Sequence, residues 1–255
     1  MKQQVSILGC GWLGMPLART LIQEGFQVLG STTTPSKLSE LESLGIRPFL
    51  IDIHKEDQLH SSSFLSSDIL IIAITSKSIE DFQLLIDSIA VSPVKRVLFV
   101  SSTSVYPMCN GVVTEQTKTL DTPLARIEHL FLSQKSFETS ILRFGGLFGA
   151  TRQPVNFIRG KVVAHPEGYI NFIHQEDGIA IILKMIQMNR WSQILNVCSD
   201  SHPKRRDFYI RLTQKAGVPT PVFDESTPCL YKIVDSQKLK TFLDYQFKYG
   251  DLMTI

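Results

Sequence analysis

A doubly wound α/β fold built on a parallel sheet follows from three features of this chain. Short apolar runs alternate with longer amphipathic ones through the first 100 residues. The short runs show little polar alternation, as strands buried on both faces require. A glycine-rich turn stands between the first apolar run and the first amphipathic stretch. Alternation of this kind places helices on both faces of the sheet.

Taken in order, Val5 to Leu8 is the first strand. Trp12 to Glu24 reads as a helix with Leu13, Leu17, Leu21 and Ile22 on one face, and Gly25 suits its left-handed stop. Phe26 to Leu29 is the second strand, Lys37 to Leu44 a short helix stopped by Gly45, and Pro48 to Ile53 the third strand. Asp68 to Ile74, an almost unbroken apolar run, is the fourth. A helix over Ile79 to Ala90 and a fifth strand over Arg96 to Val100 follow. The pattern then loosens. Pro123 to Ser133 is a helix, Thr139 to Arg143 a strand, and Gly145 to Glu167, punctuated by Gly and Pro, mostly loop. Glu176 to Met188 is an amphipathic helix and Ile194 to Val197 a strand. Residues 203–255 carry Pro203, Pro219, Pro221 and Pro228, and hold helices at Arg206 to Ala216 and near Ser236 to Leu243.

Composition narrows the function classes. The chain has 255 residues, 43% of them hydrophobic and 20% charged, and needs neither disulfide nor metal to form a core. Its net charge is +2, from 26 basic against 24 acidic residues, which argues against nucleic acid as the main partner. Cys10, Cys109, Cys198 and Cys229 lie far apart with no CxxC pair, so no zinc site is expected and reduced thiols in the cytoplasm are the simplest reading. No run of 18 apolar residues exists, so no membrane span is expected. Gly9, Gly11 and Gly14 interrupt the first apolar run, which reads as a buried strand rather than a signal peptide.

Gly9-Cys10-Gly11-Trp12-Leu13-Gly14 is G-x-G-x-x-G between a strand and a helix, the context that gives this pattern meaning. Gly9 permits the tight turn, Gly11 lets backbone approach a pyrophosphate, and Gly14 lets helix and strand pack closely. The helix N-terminus supplies unpaired N–H groups for phosphate. The fold is then Rossmann-type, with a small C-terminal substrate lobe. A ribose-binding carboxylate is expected about 20 residues beyond the motif. None stands between Glu24 and Glu40. Thr32, Thr33, Thr34 and Lys37 occupy that stretch, and hydroxyls with an ammonium suit a 2′-phosphate, which favours NADP over NAD. The same threonines also fit a helix-capping loop. Asp52 is placed to face the adenine or to cap a strand end.

The fifth strand ends Ser101-Ser102-Thr103-Ser104-Val105-Tyr106. Here the chain resembles the short-chain dehydrogenase/reductase superfamily, and more narrowly its extended branch of nucleotide-sugar epimerases and dehydratases. The glycine loop, Asp52-Ile53, "SSTSVY", Glu115 in "VVTEQ", "ILRFGGLFG" (141–149), "NFIHQEDG" (171–178) and "ILNVCSD" (194–200) occur in that branch's order. The resemblance implies that Ser102 polarises the reacting carbonyl or alcohol. It also implies that Ile53, Ala73, Ser101 and Phe144 join the glycine loop in lining the cofactor. Residues 1–150 with 171–198 would form the dinucleotide-binding domain, and 151–170 with 199–255 the substrate lobe. A dimer through the helices near 79–90 and 123–133 is a further implication.

The branch's acid/base pair, Y-x-x-x-K, does not occur. Four residues after Tyr106, Tyr169, Tyr209, Tyr231, Tyr245 and Tyr249 stand Asn110, Ile173, Thr213, Asp235, Tyr249 and Met253. One alignment of the helix places Leu124 and Glu128 at the Tyr and Lys, and another places Leu120 and Leu124 there. A tyrosine base needs a neighbouring cation, because free Tyr titrates near 10. Tyr106 reads as structural, His129 and Lys135 as exposed helix residues, and Asp177 as a helix cap. Arg152, Arg159 and Lys161 lie where the resemblance places a substrate pyrophosphate. Lys204-Arg205-Arg206 reads as a solvated helix start. The favoured function is an NAD(P)-dependent epimerase, dehydratase or reductase acting on a sugar nucleotide or similar small molecule. The alternative is a dinucleotide sensor that has lost the chemistry.

Overall fold

The computed structural model describes residues 3–55, 58 and 63–255. Its centre is a seven-stranded parallel sheet flanked by helices. The strands are β1 (Gln4–Leu8), β2 (Gln27–Thr32), β3 (Arg47–Leu50), β4 (Ile69–Ile72), β5 (Arg96–Ser102), β7 (Glu138–Phe144) and β10 (Ile194–Val197). Their order across the sheet is β10-β7-β5-β4-β1-β2-β3. The chain runs one way from β1 to β3 and the other way from β4 onward, so the order reverses between β1 and β4. Ligands of open α/β sheets bind beyond the carboxyl ends of the strands at such a reversal.

The helices are α1 (Gly14–Gln23), α2 (Leu38–Ser43), α3 (Ile79–Ala90), α4 (Pro123–Ser133), α5 (Gln175–Gln187), α6 (Arg205–Ala216) and α7 (Gln237–Leu243). Side chains cap two of them as their sequences require. Ser78 Oγ accepts the Asp81 N–H at the start of α3, and Thr122 Oγ1 the Ala125 N–H at the start of α4. Gly25, at φ +88°, turns the chain out of α1. No helix among the described residues is long and apolar enough to cross a membrane.

The chain divides into two compact units. Unit 1 comprises Met1–Ser101, Asp121–Leu142 and Met185–Ile194. Its core joins Leu8, Leu70, Ile72, Phe82, Phe99 and Phe131. Phe99 stacks on Phe131 at 5.1 Å and meets the edge of Phe82 at 5.6 Å, which fastens α3 and α4 to β5. Unit 2 comprises Ser102–Leu120, Arg143–Lys184 and Leu195–Ile255. Phe148, Ile158, Ile170, Phe208 and Leu252 belong to its core. Two parallel strand pairs brace it: β8 (Gly146–Phe148) with β9 (Phe172–His174), and β6 (Val112–Val113) with β11 (Ile233–Val234).

Two expectations change, whereas the stretch from Gly145 to Glu167 is mostly loop as read, with β8 and a 3-10 turn at Pro154–Phe157 set in it. A Cβ on Gly146 would stand 2.3 Å from the Phe172 ring, so any larger residue there has to displace that ring. The third strand ends at Leu50, leaving Asp52 and Ile53 beyond it. Asp177 does not cap α5, which begins two residues earlier at Gln175. Its buried carboxylate accepts instead from Tyr245 Oη–H (2.8 Å), Lys248 N–H (2.8 Å) and Tyr249 N–H (2.9 Å), and so ties down the segment after α7.

Candidate functional site

In unit 1 the glycine loop leaves the carboxyl end of β1 at the strand-order reversal. Gly9 has φ +99°, and its N–H donates to Ser31 Oγ at 3.0 Å. The Cys10 N–H donates to the Ser31 carbonyl at 2.7 Å, so one residue of β2 pins the loop from both sides. A Cβ on Gly9 would lie 2.8 Å from the Ala73 carbonyl oxygen, which places Ala73, just past β4, directly against the loop. A Cβ on Gly14 would lie 2.1 Å from the Gly9 oxygen. Helix and strand therefore meet as the third glycine of the motif allows. Gly11 is exposed, and a Cβ there would meet nothing within 4 Å.

Leu13, at the N-cap of α1, offers no side-chain cap, and the first turn has no acidic residue. Backbone N–H groups and the positive helix end are thus presented without a competing carboxylate. Trp12 is half-buried beside them. The loop over Gly11 and this helix end fit a dinucleotide pyrophosphate in room, donors and sign of charge. Cys10 is buried, and burial pushes its thiol up to about 12, so it is a packing group and not a nucleophile.

At the end of β2, Thr32 is buried and its Oγ1 accepts the Thr34 N–H at 3.1 Å. Thr33, Thr34 and Lys37 are exposed on the turn that follows. Asp52 is half-buried, and its Oδ1 accepts the His54 N–H at 3.2 Å. Ile53 is part of the unit 1 core. Ser101 is buried, and its hydroxyl donates to Glu128 Oε1 at 2.5 Å, which turns it toward α4.

Unit 2 carries Ser102, half-buried at the end of β5. Its Oγ accepts the Ser104 N–H at 3.1 Å and caps the 3-10 turn Thr103–Val105, leaving the O–H to donate elsewhere. Phe144 is buried, with its ring packed on Gly178 of α5. Tyr106 is 1% exposed. Its Oη donates to Asn196 Oδ1 and accepts from Arg143 Nη1, both at 2.7 Å. Glu115 Oε1 takes the Asn196 N–H at 2.7 Å. Burial raises the Tyr106 pKa despite Arg143, so the phenol stays protonated as a structural strut.

Neither alignment of the missing pair supplies a tyrosine or a lysine, and Glu128, which one of them places at the Lys, is buried and accepts from Ser101 Oγ. Leu120 is exposed, and Leu124 packs on the unit 1 core. His129, Lys135, Arg159 and Lys161 are exposed, and Arg152 lies 5.5 Å over the Phe157 ring. Lys204 and Arg206 pair with Glu167 at 2.9 and 2.8 Å, and Arg206 also with Glu225. Two contributors were not singled out by sequence reasoning. Ser31 precedes the Thr32–Thr34 run and carries no signal of its own. Lys232 is buried in unit 2, and its one signal was a lysine within the apolar run Leu230 to Val234. Among the described residues, no group of three or more His, Cys, Asp or Glu is placed to hold a metal.

The TrkA-N domain family matches residues 5–99. Protein YeeZ of Escherichia coli K12 is 31% identical over 266 residues, covering 98% of this chain and 97% of YeeZ. A putative NAD-dependent epimerase/dehydratase from Methylobacillus flagellatus superposes with a TM-score of 0.79 at 24% identity, over 100% of this chain and 96% of its own. UDP-glucuronic acid 4-epimerase from Bacillus cereus, in complex with UDP-glucuronic acid and NAD, gives 0.79 at 17% identity, over 99% and 96%.

Proposed function

Because the chain belongs to the family of Escherichia coli YeeZ and has the fold of short-chain dehydrogenase/reductase proteins, we propose that it is an NAD(P)-dependent enzyme of the epimerase/dehydratase or reductase type. Its substrate would be a sugar nucleotide or a similar small molecule with a hydroxyl or carbonyl at the reacting carbon. The observation that carries this reading is the glycine loop, with Gly9 at positive φ, Gly14 pressed on Gly9, and open space over Gly11.

In this reading Gly9, Gly11, Trp12, Leu13 and Gly14 hold the pyrophosphate. Thr33, Thr34 and Lys37 take a 2′-phosphate, and Asp52 and Ala73 line the adenosine side. The bound cofactor supplies hydride transfer. Ser102 donates its O–H to the reacting oxygen, and residues 151–170 and 199–255 carry the substrate. Thermal shift with NADPH and NADH tests the cofactor, since a ligand that binds only the native state raises its melting temperature. Turnover is tested by following cofactor absorbance against a panel of sugar nucleotides.

Lys37→Ala is expected to weaken NADPH about tenfold, the loss of one charge-assisted bond of about 1.4 kcal/mol, and to leave NADH unchanged. Equal loss for both would remove the preference for NADP. Ser102→Ala is expected to lower turnover by about 10²-fold with NADPH affinity retained, the size of effect seen when one oxyanion donor is removed. Full activity in that variant would free Ser102 of its role. The lack of Y-x-x-x-K, with Leu120 or Leu124 at the Tyr position and Leu124 or Glu128 at the Lys position, favours a second reading as a dinucleotide sensor. NADPH binding with no redox change on any sugar nucleotide would select it.

A further inference from the structure

Asp81, in the first turn of α3, is a buried acid. Its Oδ2 is out of contact with solvent and takes no well-aligned hydrogen bond. The group against that oxygen is the His54 ring, whose Nδ1 stands 2.5 Å away. His54 is the side-chain partner of Asp81 among the described residues. A buried carboxylate is costly unless a partner meets it, and the ring supplies one. The His54 side chain is itself 61% exposed, so it is the acid and not apolar burial that holds the ring there.

Both ends of this contact are fixed from behind. The His54 N–H donates to Asp52 Oδ1 at 3.2 Å, the Lys55 N–H to the Asp52 carbonyl at 2.9 Å, and the Asp52 N–H to Gln58 Oε1 at 2.8 Å. These bonds make a tight turn of the residues after β3. On the other side, the Asp81 N–H donates to the Ser78 cap at 3.3 Å. Ile53 and Phe82, the neighbours of the two residues, lie in the same core cluster. The contact therefore joins the turn that carries Asp52 to the start of α3. The segment leading into α3 begins at Ala73, whose carbonyl lies against Gly9.

We propose that His54 and Asp81 are positioning residues, whose contact clips the turn after β3 to α3 and so sets the adenosine slot of the cofactor site. This rests on the dinucleotide reading above and deepens it, because Asp52 and Ala73 are the two sides of that slot. Neither His54 nor Asp81 touches the ligand. A clip of this kind acts alike on every ligand with an adenosine half. The test is calorimetry of the full chain with AMP, 2′,5′-ADP and NADPH, on wild type, His54→Ala, Asp81→Asn, the double variant and His54→Asn, whose amide nitrogen takes the place of Nδ1. Each protein is titrated well below its melting temperature, which is measured alongside, so that only folded chains are read.

His54→Ala and Asp81→Asn are each expected to weaken all three probes about fivefold, the scale of a partly exposed ion pair. The double variant is expected to weaken them no further, since both changes remove one contact. Recovery in His54→Asn to within about twofold of wild type supports the clip as well. Lower melting temperatures with wild-type affinities would make the pair merely structural and overturn the proposal. Losses that add in the double variant overturn it too, as does a loss confined to NADPH. If Asp81→Asn fails to fold, the variants of the exposed His54 carry the test by themselves. A wild type that binds none of the three probes overturns the cofactor reading and the clip together. Normal binding by every variant overturns the clip alone and leaves the cofactor reading standing.

Discussion

Gly14→Ala is expected to lower the melting temperature by about 6–12 °C and to remove measurable NADPH binding. The new Cβ would fall 2.1 Å from the Gly9 carbonyl oxygen, which is backbone and cannot rotate away. Overpacking at such a site costs about 3 kcal/mol, and in a chain of this size each kcal/mol lowers the midpoint by about 2–4 °C. The companion variant Gly11→Ala separates ligand from fold. Its Cβ meets nothing within 4 Å, so stability should stay within about 0.5 kcal/mol. If the pyrophosphate lies over Gly11, that same Cβ weakens NADPH by more than tenfold. Calorimetry and thermal denaturation of the two variants check the pair. A Gly11→Ala protein that binds NADPH normally would move the phosphates elsewhere.

Tyr106→Phe is expected to cost about 2–4 kcal/mol, read as a lower urea midpoint at unchanged slope. The ring survives, and with it the Arg143 guanidinium 4.9 Å over its centre. What is lost is the hydroxyl between Arg143 Nη1 and Asn196 Oδ1. Each buried group left unsatisfied costs about 1–3 kcal/mol, more when charged. NADPH affinity should not change. A variant with wild-type stability but no turnover would show Tyr106 to be catalytic and its structural assignment wrong.

Local rules carried most of the fold. The α3 and α4 spans match their patterns residue for residue, because Ser78 and Thr122 are caps and Pro123 is a first-turn proline. Boundaries set by pairing were harder. The second strand seemed to stop at Leu29 because Gly30 and Ser31 end the apolar run. It continues because β1 and β3 hold it on both sides, with Gly30 opposite Pro48 and Thr32 opposite Leu50. Gly30 itself is required there, since a Cβ would meet Cys10 Sγ and Ile46 at 2.6 Å. Leu50 is the last partner β3 finds, so Asp52 falls outside the ladder. The glycine loop was legible because its signal is six consecutive residues between a strand and a helix. Tyr106 was read as structural, but its partners Arg143, Asn196 and Lys232 were not legible, because the bonds join residues up to 126 apart and no periodicity records such pairs.

The interleaving of the two units bears on how the chain is made. Synthesis delivers β1 to β5 first, yet β5 borders β7, and β7 borders β10 near residue 194. While about 40 further residues emerge, the nascent sheet presents an unpaired edge carrying Val97, Leu98 and Phe99. Open apolar edges of parallel sheets are where growing chains associate wrongly. Unit 1 closes only when residues 185–194 arrive, after much of unit 2 has already left the ribosome.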